Sequence, residues 1–398
     1  MKGVAAAFMK ASQRPCLGGK RVRARCSSPH YDAVIVGNGP AACTFAIQLV
    51  RRGRTALLVP PRNEAAPNKP WGETLSPRGE FLLTRLGAAD ECLAGQYATQ
   101  KVLSCWRNSD PEIIHLEFDP HGRMWHLSRR SFDNALLTHA AASGTEILDR
   151  TSHRITGFEK HPDGWKVRLS CSDIEYSVSA AFLVDATGRS SSIARRLGSK
   201  RVVRDQLAAI WCVREQAGDT APLLIEPVRQ GWWYSLGLSQ GMLVVALVTD
   251  PTVVKVSAST RRLVWDSALD EAPHTKRRFG AEVNRLSVAN IESAHLDRMG
   301  GEGWVAIGDA ATSFDPLSAH GLCCALEQAM DVAELLCLSG HEAALPDFET
   351  RRIDLYEKYE ADRIAFYKSV RRFSGYPFWR RRASHPLIAP TQLQLYHR

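Results

Sequence analysis

The 398-residue sequence predicts an α/β protein: a parallel sheet covered by helices, interleaved with a second sheet and followed by a helical C-terminal segment. Three apolar runs far apart in the chain carry this expectation. Each ends in a turn containing Gly or Asp and leads into a helix-like stretch: "AVIVGNGPAACTFAIQL" from 33, "AAFLVDATGRSSSIARRLG" from 180 and "GWVAIGDAATSFDPLSAHGLCCALEQAM" from 303. Repeated strand-turn-helix junctions are the pattern of alternating β and α elements. "WKVRL" (165–169) instead alternates apolar and polar residues, as a half-exposed strand does.

The first junction is the most specific. "AVIV" is a continuous β-branched and apolar run, the mark of a strand buried on both faces of a parallel sheet. Gly37 and Gly39 allow a tight turn and a close approach of the backbone to a pyrophosphate. Pro40 and Ala41 open the helix, and Ala42 stands where a third glycine would let helix and strand pack closely. The helix start offers its amides and positive dipole end to phosphates. With "TALLV" (55–59) as the next strand, this is a Rossmann-type dinucleotide fingerprint in its proper context. One piece is missing. The second strand should end in Asp or Glu for a ribose hydroxyl, but "LLVPPRNE" puts Pro60 or Pro61 there, leaving Glu64, or backbone and water, to hold the ribose.

Composition narrows the class. With 44% apolar and 23% charged residues the chain reads as a soluble globular protein, long enough for two domain-sized units. The longest apolar run, "MLVVALV" (242–248), falls far short of the roughly 18 residues a membrane span requires. Seven of the nine net positive charges (Lys2, Lys10, Arg14, Lys20, Arg21, Arg23 and Arg25) precede the first acid, Asp32. The basic excess is therefore a tail, not a nucleic-acid-binding face. "VAAAF" is too short for a secretory core; the tail shares its composition with organellar presequences and is read as a disordered extension. The ten cysteines form no C-x-x-C, and Cys323 and Cys324 are adjacent, so reduced thiols, no metal and a cytoplasmic location are expected.

A nicotinamide dehydrogenase needs one fingerprint near its start and has no use for the later junctions. Three of them point to one extended ligand touching several strand ends of one sheet. In their order, Gly37-x-Gly39-x-x-Ala42, Arg129-Arg-Ser-Phe132-Asp133, Asp185-Ala-Thr-Gly188 and Gly308-Asp309-Ala-Ala…Asp315-Pro316-Leu-Ser-x-x-Gly321-Leu322 resemble the FAD-dependent aromatic hydroxylase and flavin-halogenase superfamily over roughly 30–340. "PWGETLSP" (70–77) matches a G-E-x-x-x-P segment of halogenase-like members, and "GWWYSLGLSQGMLVVALVTD" (231–250) is similar to one of their sheet segments. "YEADRIAFYKSVRRFSGYPFWRRR" (359–382) looks like the tail of halogenase-like flavoproteins that mature quinone-cofactor amine oxidases and dehydrogenases. Halogenases carry W-x-W-x-I-P where this chain has Trp232-Trp233-Tyr234-Ser235-Leu236-Gly237, and they need a lysine between flavin and substrate. Lys101 is the only lysine in the corresponding window, at the wrong offset from Trp106.

The resemblance implies the aromatic hydroxylase fold: a basic extension over 1–30, a discontinuous FAD-binding domain over 31–95, 120–200 and 285–345, a mostly antiparallel substrate-domain sheet over 96–119 and 201–284, and a helical segment with a basic and aromatic tail over 346–398. Phe373, Tyr376, Phe378 and Trp379 of that tail are expected to pack on the FAD domain while the arginines stay solvated, with docking of a partner polypeptide as the alternative. By the same resemblance Gly37, Gly39, Pro40, Ala41 and Ala42 would cradle the FAD pyrophosphate and Arg129 would touch the phosphate or ribityl region. Asp185 and Gly188 would bring the chain near the flavin, and Asp309 would accept a hydrogen bond from the ribityl chain. The turn at Pro316, with Gly321 and Leu322, would face the pyrimidine end of the ring, where reduced flavin carries negative charge. Glu73 and His320 are the candidates for proton transfer; their plainer readings are a capping Glu and a turn His.

The implied activity is FAD-dependent monooxygenation: oxygen transfer from a C4a-hydroperoxyflavin to an aromatic ring, a tryptophan side chain of a partner protein during quinone-cofactor biogenesis. Molecular oxygen is a co-substrate, and no second dinucleotide fold is apparent. Reducing equivalents come either from a separate flavin reductase or from NAD(P)H directly. The alternatives are a halogenase or hydroxylase of a small aromatic substrate, and an FAD-containing assembly factor without catalysis.

Overall fold

The computed structural model describes residues 29–60, 72–149, 151–172, 174–216, 220–280, 285–337 and 341–384. The basic extension over 1–28, Pro61 and Glu64, and the tail beyond 384 lie outside them. The fold is α/β, with a Rossmann-type parallel sheet, a mostly antiparallel second sheet and C-terminal helices, the architecture of the aromatic hydroxylases.

In the first sheet the parallel strands stand in the order Trp304–Ala306, Ile174–Asp185, His30–Val36, Ala56–Val59 and Glu146–Ile147. The strands of the three sequence junctions are therefore immediate neighbours. Val34 and Ile35 are fully buried and so are Leu183 and Val184, because helices cover one face and an antiparallel extension the other. That extension is Gly164–Cys171, paired with the first half of Ile174–Asp185 and with His153–His161. Its Trp165, Val167 and Leu169 are buried and Lys166 and Arg168 exposed, as the alternation in "WKVRL" predicts.

The second sheet has eight strands, in the order 312–313, 287–296, 201–215, 242–249, 231–238, 223–228, 101–104 and 112–115. All its pairs are antiparallel except 223–228 with 101–104. Three elements depart from the expected division, one of them the edge strand Thr312–Ser313, which lies in the segment assigned to the nucleotide-binding part. Ser287–Leu296, assigned from sequence to the nucleotide-binding part, pairs with Arg201–Glu215 in the antiparallel sheet. Tyr97–Thr99 joins a small sheet with Gly72–Leu75 and Met124–Ser128. Their sequence neighbours gave no sign of these long-range pairings.

Side-chain alternation along Gly231–Leu238 builds two cores. Trp233 packs with Trp265 and Phe279 under the helices Ala258–Asp270 and Pro273–Phe279. Trp232 faces the other way, with Trp106, Tyr367, Phe378 and Trp379. Phe378 and Trp379, with Phe373 against them, thus pack on the antiparallel sheet and not on the parallel one, while Tyr376 is exposed. The expectation that the arginines stay solvated fails at Arg382, whose side chain is 3% exposed. It bonds Asp205 at 2.8 Å and Asp250 at 3.0 Å, while Arg363 bonds Asp205 at 3.1 Å and Glu360 at 2.9 Å. Removing one partner from such a buried network costs roughly 3–5 kcal/mol, because a charge is left unpaired. These pairs clamp the helices His341–Lys368 and Pro377–Ala383 to the sheet.

His126, on Met124–Ser128, is fully buried. Its Nδ1 lies 2.8 Å from the Gly237 carbonyl and its Nε2 has no partner. Burial, opposed by the bond to Gly237 and reinforced by the Arg278 charge, pushes its pKa down to about 4. The unfolded chain takes up that proton near pH ~6.5, so this group's contribution is complete above that value and is lost as the pH falls through about 4. The slope approaches ~1.4 kcal/mol per pH unit within the window. His126→Gln should flatten this stretch of the stability-versus-pH curve in denaturant unfolding; a slope equal to the wild type's would place the acid sensitivity elsewhere.

Candidate active site

Where the three neighbouring parallel strands end, the chain leaves a cavity of about 610 Å³ that runs toward the antiparallel sheet. Ligands of open α/β sheets bind at such carboxyl ends.

At one end the cavity is bare backbone. Gly37 has φ +143°, and a Cβ there would lie 2.2 Å from the Ala186 carbonyl oxygen, so the turn admits only glycine. A Cβ on Gly39 would meet nothing within 4 Å. The helix Pro40–Arg51 starts with proline and has no side-chain cap, so its first N–H groups and positive dipole end face the cavity. Pro40 and Ala41 line it, whereas Ala42 is fully buried in the hydrophobic core.

The middle of the cavity corrects one expectation. Asp185 is fully buried and does not reach the lining. One oxygen accepts from the Thr187 N–H (3.0 Å) and hydroxyl (2.7 Å), the other from the N–H groups of Ile193 (2.9 Å) and Ala194 (2.8 Å). Its carboxylate shapes the loop and caps the helix Ser192–Arg196, and the loop presents Ala186, Thr187 and Gly188 to the cavity. Asp309 does line the cavity, with Arg189 3.4 Å away. Its loop is held by residues that no sequence motif marked. Gln328 accepts from the Gly308 N–H (2.9 Å) and donates to Thr312 (2.7 Å). Arg201 donates to the Asp309 carbonyl (3.2 Å), Ser191 (2.9 Å), Ser313 (2.7 Å) and Glu292 (2.8 Å). A long-range pairing of strand 201–215 brings this arginine behind both loops; only its low exposure betrays it.

At the far end the turn of Asp315, Pro316 and Leu317, with Gly321 and Leu322, faces Leu223, Ile225, Trp232, Tyr234 and Leu236 of the antiparallel sheet. Ala319 in this turn takes a left-handed conformation at φ +50°, a strain of roughly 1 kcal/mol that the surroundings must hold in place. His320 is exposed, sits with Nδ1 2.5 Å from the Ser318 carbonyl, and does not line the cavity. Its neighbours in sequence face inward, but the left-handed step turns its side chain out. The expectation that it stands beside the cofactor is not met, because its side chain lies on the outer side of the turn.

Glu73 and Arg129 do line the cavity and are paired with each other. Arg129 also bonds both oxygens of Asp133 at 3.1 Å. Burial works against the guanidinium charge, but the two carboxylates outweigh it, so Arg129 stays protonated. Asp133 is shifted upward by burial, with Arg129 opposing. Tyr234 lines the same region; burial and then the Glu73 charge raise its pKa, keeping the phenol protonated. Elsewhere, among the described residues, Cys105, Glu226 and His274 come together as potential metal ligands. The Glu226 carboxylate already accepts from the N–H groups of His274 (3.2 Å) and Thr275 (2.7 Å), and Arg278 and Arg372 lie nearby. That group acts as a helix cap.

A long cavity with a glycine-bare, uncapped helix start at one end and an apolar wall at the other fits a flavin dinucleotide, and marks a dinucleotide-binding protein. Residues 30–374 match the FAD-binding domain family, and the chain belongs to it: it is an FAD-dependent oxidoreductase of the monooxygenase and halogenase superfamily. It is 27% identical over 364 residues, 88% of this chain and 96% of the relative, to the putative FAD-dependent oxidoreductase LodB of Marinomonas mediterranea. Among solved structures, the myxobacterial chondrochloren halogenase CndH superposes with a TM-score of 0.75 at 22% identity, covering 89% of this chain and 86% of that one. The peptidyl tryptophan dihydroxylase QhpG, essential for tryptophylquinone cofactor biogenesis, superposes with a TM-score of 0.70 at 22% identity, covering 92% and 81%. At these identities the two structures establish the fold. No helix among the described residues is long and apolar enough to cross a membrane.

Gly37→Ala should weaken FAD binding by roughly tenfold or more, since relieving the clash with Ala186 must displace the turn. Titration of the FAD-free protein measures this, and an unchanged affinity would remove the pyrophosphate from the turn.

Proposed function

We propose that the protein is a monooxygenase that hydroxylates an aromatic ring, a tryptophan side chain of a partner polypeptide matured into a quinone-cofactor enzyme. In this reading the FAD pyrophosphate lies at Gly37–Ala41, the ribityl chain beside Asp309, and the pyrimidine end of the ring at the Asp315–Leu322 turn. Arg129, bound to two carboxylates, serves the ring end of the cavity and not the phosphates.

The observation that carries the reading is the wall opposite the nucleotide end. Leu223, Ile225, Trp232, Tyr234, Leu236 and Ile291 form an apolar surface suited to a flat ring, with Glu73 as the carboxylate beside it. Among the described residues no lysine lines the cavity, and Lys101 is exposed. A halogenase of this superfamily needs such a lysine, so hydroxylation is favoured over halogenation. The likeness to a peptidyl tryptophan dihydroxylase supports a polypeptide substrate.

Bound FAD, once reduced, supplies the activated oxygen. The chain's own groups do the rest. The apolar wall excludes water and holds the ring in one orientation. Glu73 is placed to accept the proton that the ring loses as aromaticity returns, and Arg129 fixes the direction of that carboxylate. The protonated Tyr234 phenol offers the cavity a hydrogen-bond donor.

The test is mass spectrometry of a candidate partner polypeptide incubated with the FAD-loaded protein, O₂ and NADH, with and without a flavin reductase and bromide. Oxygen added to a tryptophan is expected in both halide conditions; a brominated product, or none, would overturn the reading. Glu73→Gln should retain bound FAD and lower the hydroxylation rate by roughly 10²–10⁴-fold, the usual contribution of a general base. Partner maturation that survives in the FAD-binding-deficient Gly37 variant would instead favour an assembly factor.

A further inference from the structure

The helix His341–Lys368 presents Tyr359, Arg363 and Tyr367 at intervals of four residues, hence on one face, and that face meets Asp315. Asp315 is buried at the cavity turn. Its N–H donates to the Tyr359 hydroxyl (2.6 Å), one carboxylate oxygen accepts from the Leu317 N–H (2.9 Å), and the other accepts from the Tyr367 hydroxyl (2.8 Å). The same Tyr367 oxygen accepts from the indole Nε1–H of Trp232 (3.1 Å). Trp232 lines the cavity from the antiparallel sheet, and Asp315 and Leu317 line it from the turn. Tyr367 is 1% exposed and stands behind both walls.

We infer that Tyr367 is a positioning residue: its hydroxyl ties the sheet wall to the turn through Trp232 and Asp315, and thereby sets the polarity at the pyrimidine end of the FAD ring. This rests on the proposed seat of the ring at that turn. Packing alone does not need the hydroxyl. The Tyr367 ring is surrounded by Trp106, Phe378 and Trp379 at centroid distances of 5.8, 6.1 and 5.8 Å, which phenylalanine would preserve. What phenylalanine loses is the hydroxyl that joins the indole N–H to the carboxylate. The other charged and titratable groups acting on Asp315 are Arg363 and Tyr359 on the same helix and Asp205 on the strand Arg201–Glu215. Burial already raises the Asp315 pKa, and the Tyr367 bond is among the few groups opposing that rise. Without it the carboxyl takes a proton more readily, and a negative charge disappears from beside the ring.

The experiment compares wild type, Tyr367→Phe, Asp315→Asn and the double variant, all FAD-loaded, by the midpoint potential of the bound flavin against a redox dye. Tyr367→Phe is expected to move the potential in the positive direction by a tenfold change in the oxidised-to-reduced ratio, about 30 mV for a two-electron couple. Asp315→Asn should shift it the same way, and the double variant should match Asp315→Asn alone, because one acts through the other. A silent Tyr367→Phe, or shifts that simply add, overturns the inference. If Asp315→Asn shifts the potential and Tyr367→Phe does not, the bridge alone is wrong. If Asp315→Asn is itself silent, the ring does not lie at this turn and the proposed seat falls as well. Should Tyr367→Phe fail to fold, Trp232→Phe removes the donor that polarises the Tyr367 hydroxyl while leaving its bond to Asp315; a smaller shift in the same direction is expected, and its absence overturns the inference.

Discussion

The constraint on which the rest depends is the close approach of three strand ends. The ladder does not stop where the strands do: the Gly37 N–H bonds Val59, the Ala186 N–H bonds Val36, and the Ile307 N–H bonds Asp185, at 2.9–3.0 Å. Three loops are thereby locked side by side before any side chain is considered. That spacing leaves no room for a Cβ at Gly37, and Gly308 with φ +61° sits so close to the first helix that a Cβ would lie 2.8 Å from Ala41. The glycines are consequences of the sheet's geometry, and the bare backbone they leave is what a phosphate can approach.

The far end of the cavity is held by a different kind of force. The Asp315 turn follows the edge strand Thr312–Ser313, and three strands separate that edge from the one carrying Trp232. The C-terminal helices join the two directly, and they are fixed by buried ion pairs. Asp205 receives both Arg363 and Arg382, and Asp250 and Glu360 complete the set. Each charge has been desolvated at considerable cost, and hydrophobic replacements would pack at least as stably. What charges supply is direction: a guanidinium accepts few orientations of its partner. A helix whose face must meet a buried carboxylate gains more from fixed orientation than from extra apolar area.

The division between what the sequence revealed and what it concealed follows the range of the interactions. "AVIVGNGPAA", "FLVDATG" and "VAIGDAA" are local, since strand, turn and helix start are adjacent in the chain, and they predicted three neighbouring strand ends. Arg201, Gln328 and Tyr367 act through contacts to residues 108, 20 and 52 positions away, with no local signature. Asp185 and His320 show the opposite error. Both stand in the right motif, but a motif fixes the backbone and not the direction of a side chain. Asp185 turns to its own loop's N–H groups, and His320 turns outward after the left-handed Ala319. Glu73 was legible from its segment, yet its pairing with Arg129 was not, because residues 73 and 129 meet only across the small sheet.

That pairing bears on how one carboxylate can serve as a base in an apolar cavity. Arg129 gives the Glu73 carboxylate a counterion and a fixed direction, and it holds Asp133 in the same way. Asp133 shares the cation, so the cluster of two carboxylates and one guanidinium retains one negative charge in excess. In the proposed reaction, a proton passed to Glu73 would leave this cluster formally neutral, with Asp133 still beside Arg129. Such a transfer would discharge a group of three instead of breaking an isolated ion pair, leaving no charge without a counterion.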